Sequence, residues 1–204
     1  MKFTASIVVA LGTLTMPVAA WSHFNLMEPT PTLMQDERGD PQKLGPCGGT
    51  SAVAGTPSGA VTNVKGGQNL HIKIHETVFH PGHFRVALAR TADKLPADPE
   101  TTTRDTEKGP YSVSAKIDAN PKPPVIADGL FVHTQRPAAD NFWETDIKIP
   151  NVNCDNCTLQ VIQWMAEHGF NRDGGYTYHH CAALKITADP KQPVDKVWSQ
   201  GLGR

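Results

Sequence analysis

The chain has 204 residues, 39% apolar and 19% charged, with 19 Lys and Arg against 20 Asp and Glu for a formal net charge of −1. No basic block is present, which excludes nucleic-acid binding through phosphate neutralisation, and the apolar fraction with balanced charge excludes a disordered chain. Seventeen Gly and seventeen Pro punctuate it too heavily for long helices, and the length suits one domain with a sizeable core, or barely two.

Met1-Lys2 is a short positive start, followed by an uncharged run over residues 3–16, then Pro17 and small residues up to Ser22. This is the layout of a secretory signal peptide, residues 1–22. Its apolar core is shorter than the ~20 residues that a membrane span needs, and the product is expected to be secreted or periplasmic rather than membrane-bound. The small-residue rule permits a cut after Ser22, leaving His23 first, and equally a cut after Ala20, leaving Trp21 first.

In the body of the chain, residues 70–75 alternate strictly, with Leu70, Ile72 and Ile74 on one face and His71, Lys73 and His75 on the other. Residues 84–89 repeat the pattern with Phe84, Val86 and Leu88 inward, and 142–149, 158–165 and 182–187 are further β-rich runs. Such runs between turn residues predict an all-β, antiparallel sandwich. Residues 29–66 and 91–123 read as long loops, with at most a turn or two of helix in 92–104, and loops of that length are usually functional or flexible. The domain is expected over 23–188, and 189–204, polar and bearing Pro190 and Pro193, reads as a tail without a fold of its own.

The four cysteines, Cys47, Cys154, Cys157 and Cys181, are an even count in an exported chain and read as two disulfides. Of three connectivities, Cys154–Cys157 with Cys47–Cys181 is favoured by the short spacing of the first pair. Loop entropy assigns the small ring about 2 kcal/mol and the large one about 5. A zinc ribbon is disfavoured because CDNC has no second CxxC to pair with.

Nine histidines carry the chemical signal. His71 and His75 are expected to face solvent, and His179 and His180, adjacent on a strand, to point to opposite faces. His80 and His83 flank Pro81-Gly82, strong turn chemistry, and so are placed at a loop tip. With His23 freed at the N-terminus, its α-amine and ring nitrogen can chelate one metal, since the amine pKa is only ~8. A third nitrogen from another histidine makes the planar set that Cu(II) prefers, whereas zinc prefers a tetrahedron.

His23-Phe24, His80-Pro81-Gly82-His83-Phe84, Cys154 through Gln160 (CDNCTLQ) and Tyr176 through Ala182 (YTYHHCA) together, in this order, resemble lytic polysaccharide monooxygenases. The resemblance implies an immunoglobulin/fibronectin-like β-sandwich, one copper per chain, and oxidative cleavage of chitin or cellulose. It implies that His23 supplies the amine and a ring nitrogen of a histidine brace, His80 the third nitrogen, and Tyr178 the axial aromatic. Gln163 or His168 takes the place of the outer group that orients bound oxygen. It favours the cut after Ser22, and brings a polysaccharide substrate and an electron donor as partners of a monomer. The same ligands serve a copper-binding protein without oxidative activity, for storage, delivery or sensing. A metal-free carbohydrate-binding sandwich is the third reading, and a mature start at Trp21 favours it. Phe79, Tyr111 and Tyr176 are the candidate sugar-stacking aromatics.

Overall fold

A computed structural model describes residues 23–137, 140 and 142–201; the expected export signal, residues 1–22, lies outside the described residues. The strands are β1 His23–Glu28, β2 Val61–Lys65, β3 Asn69–Val78, β4 Gly82–Ala89, β5 Thr101–Thr106, β6 Gly109–Ala115, β7 Val125–His133, β8 Phe142–Lys148, β9 Cys154–Met165 and β10 Thr177–Thr187; the five expected runs fall in β3, β4, β8, β9 and β10, with Ile149 one residue past the end of its own. One sheet has the order β1-β3-β8, the second β2-β10-β9-β4-β7, and β5-β6 is a separate hairpin.

The two large sheets form an all-β sandwich because each buries one alternating face. Phe24, Leu26, Ile72, Ile74 and Ile147 from the first sheet join Phe84, Val86, Leu88, Leu159, Val161, Ala182, Leu184 and Ile186 from the second in one core. Each large aliphatic side chain so buried contributes roughly 1.5–3 kcal/mol. The Cys47–Cys181 and Cys154–Cys157 bonds are both formed. The first ties the long N-terminal loop to β10, where Thr32 N also donates to Cys181 O at 2.7 Å.

Several features depart from the sequence expectation. Residues 61–65 lie on the edge of the five-stranded sheet and pair with β10 in parallel, the one parallel strand pairing among the described residues. The segment 91–123 holds hairpin β5–β6 besides a single 3-10 turn at Ala92–Lys94. β5 (TTTRDT) has no apolar alternation and pairs through its backbone, which periodicity cannot detect. β7 was hidden because Gly129 and Phe131 sit at positive φ and its register against β4 shifts repeatedly. The tail also folds: Asn151 Nδ2 donates to the carbonyls of Asp189, Gln192 and Pro193, and a short helix α1, Lys196–Gly201, packs Trp198 against the core.

The outer face of the larger sheet is covered. β4 is buried at all eight positions, including His83 and Arg85, whose guanidinium donates to Ala97 O at 2.8 Å. Segment 91–123 lies over this face, with Asp98 bonded to His179 and Thr101 Oγ1 accepting from Trp164 Nε1, and His83, expected at an exposed tip, is 3% exposed.

Candidate functional site

The strand registers bring specific residues to one end of the sandwich. His23 opposes Val78 at the end of β3, Gly82 opposes both Met165 and His133, and Thr177 opposes Trp164. The start of β1, the β3–β4 turn, the end of β9 and the start of β10 therefore meet. Gly82 is fixed by this closure: a Cβ there would lie 2.0 Å from Trp164 O, so no other residue fits without displacing β9.

Four of the expected site residues converge. His80 and His168 have ring centroids 5.0 Å apart, His23 and Tyr178 5.4 Å, and His168 and Tyr178 6.3 Å. His23 is 3% exposed, His80 7%, and Tyr178 is fully buried; His168 is half-buried. Burial, reinforced by the neighbouring His168, pulls His80 down to about 4, so its ring is neutral at pH 7 and keeps a lone pair. Its Nδ1 is buried with no hydrogen-bond partner among the described residues. Burial also lowers His168 and pushes Tyr178 up to about 12, with Asn171 offsetting part of that rise. Tyr178 is thus a neutral phenol at physiological pH.

The fifth, Gln163, is reached differently. It is fully buried, and its Nε2 donates to Glu76 Oε1 at 2.8 Å. Glu76, 1% exposed, also accepts from His80 N at 3.1 Å and from Trp143 Nε1 at 3.3 Å. His133 completes the cluster, its Nε2 3.4 Å from Glu76 Oε1 and 2.8 Å from His80 O, its Nδ1 2.5 Å from Phe131 O. Carbonyl oxygens only accept, so both ring nitrogens face acceptors, surroundings that favour the charged imidazolium form. Burial opposes that charge, but the bonds to Glu76 and the carbonyls outweigh it and hold His133 above its ordinary value. Gln163 connects to His80 through this buried ion pair.

Three members of the site escaped the sequence reading. Glu76 had a signal: Leu70, Ile72, Ile74 and Glu76 share the inward face of β3, and an acidic residue in that register marks a buried polar centre. His133 had none that separated it from other histidines. Asp40 lies in the Gly- and Pro-rich loop, where no periodicity guides a reading. Its Oδ2 accepts from His23 Nε2 at 3.1 Å, and that hydrogen bond above all holds its carboxyl below the usual range. The loop approaches β1 so closely that a Cβ on Gly39, at φ 99°, would lie 2.0 Å from Phe24 O.

The other histidines are placed as follows. His71 stays on the outer sheet face between Asp146 and Glu144, and His75 stacks on Phe142. His179 and His180 do point to opposite faces: His179 bonds Asp98 at 2.9 Å, and His180 lies against Phe24 in the interior. Both are buried. His83 is buried against Trp164, its ring stacked at 5.2 Å.

Near His168 the surface carries aromatics. Phe170 is 62% exposed, with Tyr176 edge-on at 5.6 Å, and Gly169 lies against the Tyr111 ring. Phe79 stands apart from these, tilted against His133 with Arg136 over its ring.

Among the described residues no group of three or more His, Cys, Asp or Glu side chains is arranged to hold a metal by itself. Two histidines completed by a main-chain amine are not such a group, and His80, neutral and with its buried Nδ1 lacking a hydrogen-bond partner among the described residues, is the kind of donor that set needs. No family model matches the chain, and no curated protein matches it.

Proposed function

We propose that the protein is an exported mononuclear copper protein that cleaves a polysaccharide, chitin or cellulose, oxidatively. The observation that carries this reading is the convergence of His23, His80, His168 and Tyr178, drawn from four separated segments, at one end of the sandwich. Cleavage after Ser22 frees the α-amine of His23 to join its ring and that of His80 as three nitrogen donors, a set suited to Cu(II). Bound copper supplies the one-electron redox chemistry and oxygen activation, and the fold supplies orientation.

The chain's own residues then have separable tasks. Asp40 accepts from His23 Nε2 and fixes that ring's rotation, as outer partners of metal-bound histidines do. Glu76 and His133 clamp the main chain of His80 on both its N–H and its C=O. Tyr178, a buried phenol, covers one side of the site and excludes water there. His168, neutral beside His80, is the group positioned to hold or pass a proton. Phe170 and Tyr176 offer rings for a sugar face. The electron donor is external, and the protein acts as a monomer outside the cytoplasm, secreted or periplasmic.

The test begins with the mass of the exported protein, which should correspond to a start at His23. Copper-loaded protein with reductant and peroxide should then release oxidised oligosaccharides from insoluble chitin or cellulose, and His168→Ala should slow the release without loss of copper. A mature start at Trp21 rules out the brace. Tight copper binding with no oxidised sugar from either polymer assigns the protein to copper storage, delivery or sensing instead.

A further inference from the structure

The segment after β9 that carries His168 has little regular structure of its own, and its backbone is strained. Glu167 adopts φ 53°, the left-handed region that a residue with a side chain enters at a cost of roughly 1 kcal/mol or more. Such a conformation persists only where the surroundings over-determine it. Here they do so from two sides. Ala166 N donates to Pro81 O at 2.8 Å, tying the segment to the residue that follows His80. On the other side stands Ser112 of β6, fully buried. Its Oγ donates to Met165 O at 2.6 Å and accepts from His168 N at 3.1 Å; its N–H donates to His168 O at 3.0 Å; its C=O accepts from Glu167 N at 2.9 Å. Arg104 of β5 pairs with the Glu167 carboxylate at the surface, and Phe170 N donates to Pro110 O at 3.3 Å.

We infer that Ser112 is a positioning residue, and that hairpin β5–β6 is the device that fixes His168 against His80. The inference rests on the copper reading for the chemistry that His168 serves, but not for the geometry. One serine uses its hydroxyl, its N–H and its carbonyl on three residues around His168, and two of those bonds engage the His168 backbone itself. The hydroxyl is the only one of the three groups that a side-chain change can remove. Without it Met165 O and His168 N lose their partner, and the strained Glu167 peptide is free to relax. Ser112 makes no hydrogen bond to His23 or His80, which are held by Asp40 and by Glu76 and His133 respectively.

The experiment compares the mature full chain with Ser112→Ala, His168→Ala and the double variant. Amide hydrogen exchange in the copper-free protein should rise at least about tenfold at Glu167 and His168 in Ser112→Ala, with β4 and β10 unchanged. Copper(II) affinity should stay within about threefold, and oxidised-sugar release should fall in kcat rather than KM. The double variant should release no less than His168→Ala alone, the non-additivity expected of residues acting as one unit. Unchanged exchange at Glu167 and His168, or losses that multiply in the double variant, would overturn the inference. Arg104→Ala, at the exposed surface, supplies a second route: it should raise exchange at Glu167 in the same direction, and no change there counts against the hairpin as the device. A parent protein that releases no oxidised sugar refutes the oxidative reading alone, since the exchange comparison still decides what holds His168.

Discussion

Glu76 Oε1 accepts a 2.8 Å hydrogen bond from Gln163 Nε2 across the interior, joining β3 of one sheet to β9 of the other. The same carboxylate takes the main-chain N–H of His80 and the indole N–H of Trp143. A single buried acidic side chain thus links the two sheets and seats the histidine turn.

Removing that acceptor should be costly. Glu76→Ala strands several buried donors, each costing about 1–3 kcal/mol when unsatisfied, and leaves His133 without its counter-ion. Chemical denaturation should show a loss of at least about 3 kcal/mol, with Glu76→Gln intermediate because it keeps one acceptor oxygen. A loss under about 0.5 kcal/mol, the size of an ordinary surface substitution, would show that the network is not what holds this end of the sandwich.

The two disulfides should differ in their contribution. Cys47–Cys181 closes a separation of 134 residues and Cys154–Cys157 one of 3. Paired Cys→Ala variants should lose about 5 and about 2 kcal/mol respectively by loop entropy. Equilibrium unfolding in urea reads this order directly, and a reversed order would place the stabilisation in the native packing around Cys154 instead.

Copper affinity should distinguish the histidines by location. His80→Ala should weaken Cu(II) binding at least about a hundredfold, roughly 2.7 kcal/mol. His71→Ala and His75→Ala, on the outer face of β3, should change it less than about threefold. Calorimetric titration of the mature protein decides this, and equal losses at all three positions would remove His80 from the site.

Stability of the copper-free protein should fall on the acid side. Burial holds His80 and His180 near 4, against about 6.5 in the unfolded chain. Between those values the native state binds fewer protons than the unfolded one, so this stabilisation is complete above about pH 6.5 and is lost as the pH falls toward 4. His133, held above its ordinary value, contributes with the opposite sign and is lost as the pH rises through its raised value. The urea midpoint should therefore be lower at about pH 5 than at about pH 7, and His80→Gln should flatten that slope by up to about 1.4 kcal/mol per pH unit. An unchanged slope in His80→Gln would show that His80 titrates normally.

Much of this fold was legible because period-two alternation reports directly on a half-buried sheet. The runs containing Ile72 and Ile74, or Phe84, Val86 and Leu88, faced inward as their spacing requires, and the expectation of export together with the close spacing of Cys154 and Cys157 gave the disulfide pairing. His80 and His83 were legible as residues of a turn, since Pro81-Gly82 is local chemistry. Their burial was not, because His83 packs on Trp164 of β9 and His80 meets His168, Glu76 and His133, and nothing local to the turn encodes the distant segments that pack on it.

The site divides along the same line. Sequence alone determined the residue types: a histidine available at residue 23, a His-Pro-Gly turn, a tyrosine three before Cys181, and an acidic residue in the inward register of β3. Only the tertiary structure decided which of them meet. The register of β9 against β4 and β10 sets His168 near His80 and Tyr178, and the close passage of Gly39 brings Asp40 to His23. Ser112 reaches His168 only because a polar hairpin without hydrophobic periodicity docks there through its backbone. Alternation is a property of neighbours in the chain. Hydrogen bonds between distant backbones and a carboxylate shared by two sheets are properties of the packed molecule, and they exist only once the core has brought the strands together.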